Sequence, residues 1–310
     1  MNTGLQFIIR ATIFIYVIFP NAGNAQYSIP IEKRGGLTFI KVRINDQPRD
    51  TLLFLFDTGA EATAIDSATA DRLGLHATSS DTLGGASAAE SITSIIEHQK
   101  INIHDSVELS ELKLYVVNME PFDKAFGKRI DGIIGYDLLS KFVVFLDRKD
   151  AKMSFYSSIK NITSPLGKKV PITFKYETNI PHVKASFQLK NKKILDGYFD
   201  IDTGSNFDIY FNPSFAAHHH LKEHLDSIMA QKSRNVASAS KGEFTSEISD
   251  LKIQPFNLGK QKVTISSDQL ELDKKYRKYA GLIGNTVWEK FNILFDYRNK
   301  YIYLSFLDKL

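Results

Sequence analysis

The chain has 310 residues and no cysteine. Disulfides, thiolate nucleophiles, cysteine-ligated zinc and a lipidated N-terminal cysteine are thereby excluded. Exported proteins in oxidising compartments often carry disulfides, so an exported chain without any points to a bacterial envelope. A large excess of charge of either sign is absent as well. Lys and Arg number 39 against 35 Asp and Glu, a formal net charge of +4. No basic stripe interleaves with aromatics, so nucleic acid is not an expected partner. Long apolar runs are also missing. The stretch 11–19 falls well short of the roughly 20 residues that a spanning helix needs, and no later segment is apolar enough to cross a bilayer.

What is present is the composition of an ordinary globular protein, 43% hydrophobic and 24% charged. Residues 1–25 read as a secretory signal: Arg10 supplies the positive charge, 11–19 the apolar core, and Gly23-Asn24-Ala25 a small-residue cleavage site. The expectation is an exported protein, periplasmic or secreted, with no stable membrane association once the leader is removed.

From Gln26 onward the pattern is mostly β. In 38–44, Ile40, Val42 and Ile44 alternate with Lys41 and Arg43, which predicts a half-buried strand. Residues 51–56 run apolar into Asp57. A helix is predicted over 66–75, ending near Gly74, and strands over 100–104, 112–117 and 143–146. The order then repeats. Pro181 begins a second alternating run, with Val183, Ala185 and Phe187 on one face, and Asp57-Thr58-Gly59-Ala60 returns as Asp202-Thr203-Gly204-Ser205. Residues 132–142 match 281–291 without a gap, pairing Gly132 with Gly281, Ile134 with Ile283, Gly135 with Gly284 and Phe142 with Phe291. The Asp-Thr-Gly copies lie 145 residues apart (57 to 202) and the glycine copies 149 (135 to 284). The chain therefore divides into two long halves, 26–160 and 161–310, related by internal duplication.

One Asp-Thr-Gly is a weak signal. Two, each after an apolar run and each followed by a distant apolar-Ile-Gly, form a constellation. With it the chain resembles the aspartic peptidases. Asp57-Thr-Gly-Ala is most similar to the retropepsin type, while Asp202-Thr-Gly-Ser is more pepsin-like at its fourth position. The elements ending in Ile134-Gly135 and Ile283-Gly284 resemble those that pair with the catalytic loops of that fold. The resemblance implies two retropepsin-like lobes of the closed β-barrel type in one monomeric chain, with few short helices. Asp57 and Asp202 would be the catalytic pair, Thr58 and Thr203 braces between the loops, and the ligand a polypeptide substrate. No cofactor and no metal are implied.

The residue types fit these roles. Two carboxylates about 3 Å apart cannot both ionise readily and so share a proton. One then serves as base to a trapped water and the other as acid. Gly59 and Gly204 have no side chain to keep the loops apart. Ser205 can donate to Asp202, whereas Ala60 offers Asp57 nothing comparable. That difference makes Asp57 the expected holder of the shared proton. Gly84-Gly85 is the candidate flap tip of the first lobe and 237–240 a weaker one in the second.

Other signals carry less. His220-Leu-Lys-Glu-His224 has the spacing of one zinc peptidase class, but no third ligand is identifiable, and a solvated helix is the expectation. Trp288, the counterpart of Leu139, reads as core. An aspartate at a strand end before Thr-Gly also occurs in actin-like ATPases, yet these need alternating helices and strands and a second glycine-rich loop. A ligand-binding protein on the same two-lobed fold, without cleavage, is the rival from a different functional class.

Overall fold

The strand Leu52–Phe56 is buried along its whole length. Its side chains alternate between two apolar surfaces, and for that reason the sequence there is continuously apolar rather than alternating. Phe54 and Phe56 enter the main core, while Leu53 and Leu55 join Leu37, Phe39 and Ile130 in a second cluster. Phe122 and Phe126, from the short helix Glu120–Phe126, cover that second cluster.

The computed structural model describes residues 27–45, 51–83, 91–105, 107–163, 167–231, 243–266 and 278–307. The leader segment 1–25 lies outside them. Among the described residues no helix is long and apolar enough to cross a membrane.

The protein is mostly β, with two closed six-stranded barrels and few short helices. The first barrel runs Leu37–Ile44, Leu52–Phe56, Gly132–Ile134, Ala64–Asp66, Val107–Val117 and Ser91–His104 in spatial order. It closes where Ile44 pairs with Ile101. The second runs Pro181–Gln188, Ile194–Ile201, Tyr279–Ile283, Ile209–Phe211, Phe256–Ser266 and Glu243–Ile253. It closes where Phe187 pairs with Leu251. Closure removes the sheet edges that would otherwise be open to pairing. The strands expected at 100–104 and 112–117 are the ends of two longer strands. The helix expected over 66–75 is the shorter Ser67–Arg72, capped by Asp66, whose carboxylate accepts the Thr69 amide at 3.0 Å.

A third structural unit joins the barrels. Tyr27–Pro30, Lys152–Tyr156 and Val143–Asp147 of the first half continue into Phe291–Asp296, Tyr301–Phe306 and Lys168–Phe174 of the second. The halves meet through antiparallel pairs Val144 with Phe295, Phe145 with Leu294 and Leu146 with Ile293. Phe145 and Leu294 are also each other's counterparts in the repeat, so an approximate two-fold axis passes through that pair. Above it, the Phe56 ring packs edge-on to Phe295 with centroids 5.8 Å apart, tying the strand that carries Asp57 to the central sheet. Trp288 is fully buried, as its correspondence to Leu139 implies.

This geometry makes a checkable statement about the halves. A fragment ending at Lys160 exposes the edge of Val143–Asp147, and the register about Phe145 is self-complementary. The fragment is expected to sediment as a dimer or larger species in analytical ultracentrifugation. A well-behaved monomer would count against the central strand pair as the joint between the halves.

Candidate active site

Each Asp-Thr-Gly loop is held by the same three-strand device. The strand Gly132–Ile134 runs parallel to Leu52–Phe56 and antiparallel to Ala64–Asp66, so it lies between the strands that enter and leave the Asp57 loop. Tyr279–Ile283 does the same between Ile194–Ile201 and Ile209–Phe211. The Asp57 amide donates to the Ile134 carbonyl at 3.0 Å and the Asp202 amide to that of Ile283 at 3.1 Å. Gly135 and Gly284 end these central strands against the loops. A Cβ on Gly135 would sit 2.1 Å from the Asp57 carbonyl oxygen, and one on Gly284 2.1 Å from that of Phe207. No side chain fits at either position.

The two loops are locked to each other by their threonines, both buried. Thr58 Oγ1 donates to the Ile201 carbonyl at 2.5 Å and accepts the Thr203 amide at 3.0 Å. Reciprocally, Thr203 Oγ1 donates to the Phe56 carbonyl at 3.2 Å and accepts the Thr58 amide at 3.1 Å. Four hydrogen bonds thus cross between the halves from two side chains, and each links a hydroxyl to the other loop's backbone. The glycines let the carboxyls approach. A Cβ on Gly204 would lie 2.3 Å from the Asp57 carboxyl carbon, and one on Gly59 3.1 Å from that of Asp202.

Asp57 and Asp202 are brought together, partly exposed between the lobes and within hydrogen-bonding reach of each other. Burial raises the Asp57 carboxyl above its ordinary range, against the opposing effect of the Gly59 amide, the bond from Asp202 and the Gly204 amide. Burial raises Asp202 further, aided by the charges of Asp57 and Asp200, with only the Gly204 amide opposing. Gly59 donates to Asp57 Oδ1 at 2.8 Å and Gly204 to Asp202 Oδ1 at 2.9 Å. Asp57 thus has more donors opposing its rise than Asp202 has, which favours Asp202 as the holder of a shared proton. This reverses the expectation drawn from Ser205. The Ser205 hydroxyl accepts the Phe207 amide at 3.4 Å and does not bond to Asp202. Its backbone carbonyl instead anchors the next helix, accepting the Asn285 amide at 2.7 Å.

The candidate flap Gly84-Gly85 lies outside the described residues, as does 237–240. The strands flanking them are described: Leu83 pairs with Ser91 and Gln231 with Glu243, one antiparallel hairpin in each lobe. The His220–His224 stretch forms a short turn of helix, Leu221–His224. There His220 and Glu223 stand exposed, 3.5 Å apart. Among the described residues no group of three His, Asp or Glu side chains is arranged to hold a metal.

Two further buried residues were not singled out from the sequence. Tyr297 is buried, its hydroxyl has no hydrogen-bond partner among the described residues, and burial followed by the charge of Asp57 pushes its ionisation upward. Arg148, its counterpart in the repeat, is also buried and is lowered to about 10 by burial. It donates to Thr38 Oγ1 at 3.1 Å and across the halves to Asn285 Oδ1 at 2.7 Å. The signal for both was their place immediately after the repeated Asp147 and Asp296.

Residues 40–138 match the family model described as aspartyl protease. The matched span includes the Asp57 loop and the Ile134-Gly135 element. Over that span, which lies within the first half, the chain is similar to aspartyl proteases. No curated protein matches the chain.

The raised carboxyls set a direction for stability against pH. A native carboxyl that ionises later than its unfolded counterpart binds extra protons once pH exceeds about 3.9. Stability then falls as pH rises from there toward the folded-state value. Asp202→Asn removes the more strongly raised group. The variant is expected to melt a few degrees above wild type at pH 7, with the two curves converging below about pH 4. Differential scanning fluorimetry over a pH series measures this. A variant that melts no higher than wild type at pH 7 would contradict the burial argument.

Proposed function

We propose that this chain is an aspartic endopeptidase that completes its site from its own two halves. The observation that carries the reading is the reciprocal bracing of the loops, with Thr58 bound to the second loop's backbone and Thr203 to the first. Such bracing holds two poorly solvated acids together against their mutual repulsion, and general acid–base chemistry on a bound water makes use of that arrangement.

In the proposed reaction Asp57 is the base. It takes a proton from a water held between the carboxyls, and the hydroxide oxygen bonds to the scissile carbonyl carbon. Asp202 gives its proton to the carbonyl oxygen, which leaves a neutral tetrahedral intermediate. On collapse the proton held by Asp57 passes to the leaving nitrogen and the C–N bond breaks. Asp202 recovers its proton from the intermediate's hydroxyl as the new carboxyl group forms. Substrate would lie extended between the barrels, along the strands near the loops, with the two long hairpins above it. The residues of the leader pattern support export to a periplasm or beyond. The intramolecular pairing of the lobes supports a monomer that acts on polypeptides.

The test is incubation of the mature chain with a mixed peptide library over a pH series, followed by mass spectrometry. Asp57→Asn and Asp202→Asn are each expected to reduce cleavage at least a thousandfold, since the two groups act as one unit. Chelators are expected to leave turnover unchanged. Retention of near wild-type turnover by either variant would sink the two-aspartate mechanism. A wild type that binds peptides without cutting them would favour the binding protein instead.

A further inference from the structure

The two barrels are built alike, but one layer beside the site differs between them. In the first half, Leu55 stands two residues before Asp57 and pairs with Phe39, and both lie in an apolar cluster with Ile130. In the second half, Asp200 stands two residues before Asp202 and pairs with His182. Tyr279 occupies the place of Ile130. Three apolar residues on one side of the pair are thus replaced by an acid, an imidazole and a phenol on the other.

The replacements form one buried assembly. Tyr279 Oη donates to Asp200 Oδ2 at 2.6 Å. His182 Nε2 lies 3.0 Å from Asp200 Oδ1, a close contact without the alignment of a hydrogen bond. His182 is 1% exposed and Asp200 8%. The Tyr176 ring, from the turn before Pro181–Gln188, seals the assembly, with its centroid 5.2 Å from both the His182 and Tyr279 rings. Burying an acid in a layer that is apolar in the sister lobe costs free energy, and the barrel alone does not require it. A function beyond packing is the economical account.

We propose that Asp200 is a positioning residue, held by His182 and Tyr279, whose fixed negative charge beside Asp202 keeps the shared proton on Asp202 and leaves Asp57 as the base. Like charges at short range in a poorly solvated site favour protonation of the one that can accept it. The groups that face Asp200 are His182 on the neighbouring strand, Tyr279 on the opposite neighbour, Tyr176 on the turn and Asp202 on its own segment. Those that act on Asp202 are Asp57 and Asp200, with Tyr279 nearby. No charged group at the equivalent place acts on Asp57, where Leu55 stands. The duplicated lobes are therefore made unequal by one buried charge, and the unequal partner is the one that donates its proton to the substrate carbonyl.

The inference rests on the two-aspartate reading, and its test separates the two. The pH dependence of kcat/KM is measured for wild type, Asp200→Asn and Tyr279→Phe, with thermal unfolding recorded for each. Loss of the Asp200 charge lets the shared proton leave earlier. The alkaline limb of the profile is therefore expected to move down by about half to one pH unit in Asp200→Asn. A smaller shift of the same sign is expected in Tyr279→Phe, whose hydroxyl stabilises the charge. A purely structural role would lower the melting temperature or the plateau and leave the limb in place. If Asp200→Asn is too unstable to assay, Asp200→Leu with His182→Phe copies the first lobe's apolar pair and is expected to show the same downward shift. An alkaline limb that stays in place or moves upward overturns the positioning role. A wild type without cleavage, or an Asp57→Asn variant that still cuts, overturns the two-aspartate reading instead.

Discussion

Two carboxyl groups set side by side in a poorly solvated cleft repel each other whenever both are charged, and the protein must supply the force that keeps them together. That force is the exchange between Thr58 and Thr203. Each hydroxyl donates into the opposite loop and accepts from it, so neither loop can shift without breaking bonds in both halves. Buried hydroxyl-to-backbone bonds contribute only about 1 kcal/mol each on balance, but leaving their partners unsatisfied costs more. The lock is therefore strong chiefly against separation. Everything beneath it is arranged to hold the two loops at the right height, from the parallel strands ending at Ile134 and Ile283 to the Phe56–Phe295 contact.

Symmetry brings the acids together, and departures from symmetry give them different surroundings. Gly59 and Gly204 occupy equivalent places, yet the Gly204 position approaches the opposing acid far more closely. Arg148 and Tyr297 also occupy equivalent places. One reaches across to Asn285, while the other buries an unpaired hydroxyl within range of the Asp57 charge. Two carboxyls in equivalent places of the repeat thus stand in different surroundings.

Much of this was legible in the sequence, because duplication offers an internal comparison. The strand before each aspartate and the burial of Trp288 follow from residue type and spacing, and the pairing of each apolar-Gly element with its loop follows from the family resemblance. Closure of the barrels was expected from the family resemblance, but the strand pairs that make it were not legible. The pairing of Ile44 with Ile101, or of Phe187 with Leu251, joins strands far apart in the chain, and period-two alternation does not specify a partner. The Ser205 reading failed for a related reason. A hydroxyl next to Gly204 has several acceptors and donors in reach, and loop geometry rather than residue type decided among them. Asp200 escaped notice because an acid within a strand reads as a solvent-facing position until His182 and Tyr279 are known to lie beside it.

The axis through Phe145 and Leu294 has a consequence for how such a chain can change over generations. A strand that pairs with its own counterpart in antiparallel register can do so between two separate copies as readily as within one. In a symmetric pair of copies every substitution is made twice, so an acid gained on one wall of the cleft is gained on the other, and both walls must tolerate it. Covalent linkage of the halves ends that coupling. Leu55 can stay apolar while Asp200 is acidic, and each wall becomes a separate target of selection.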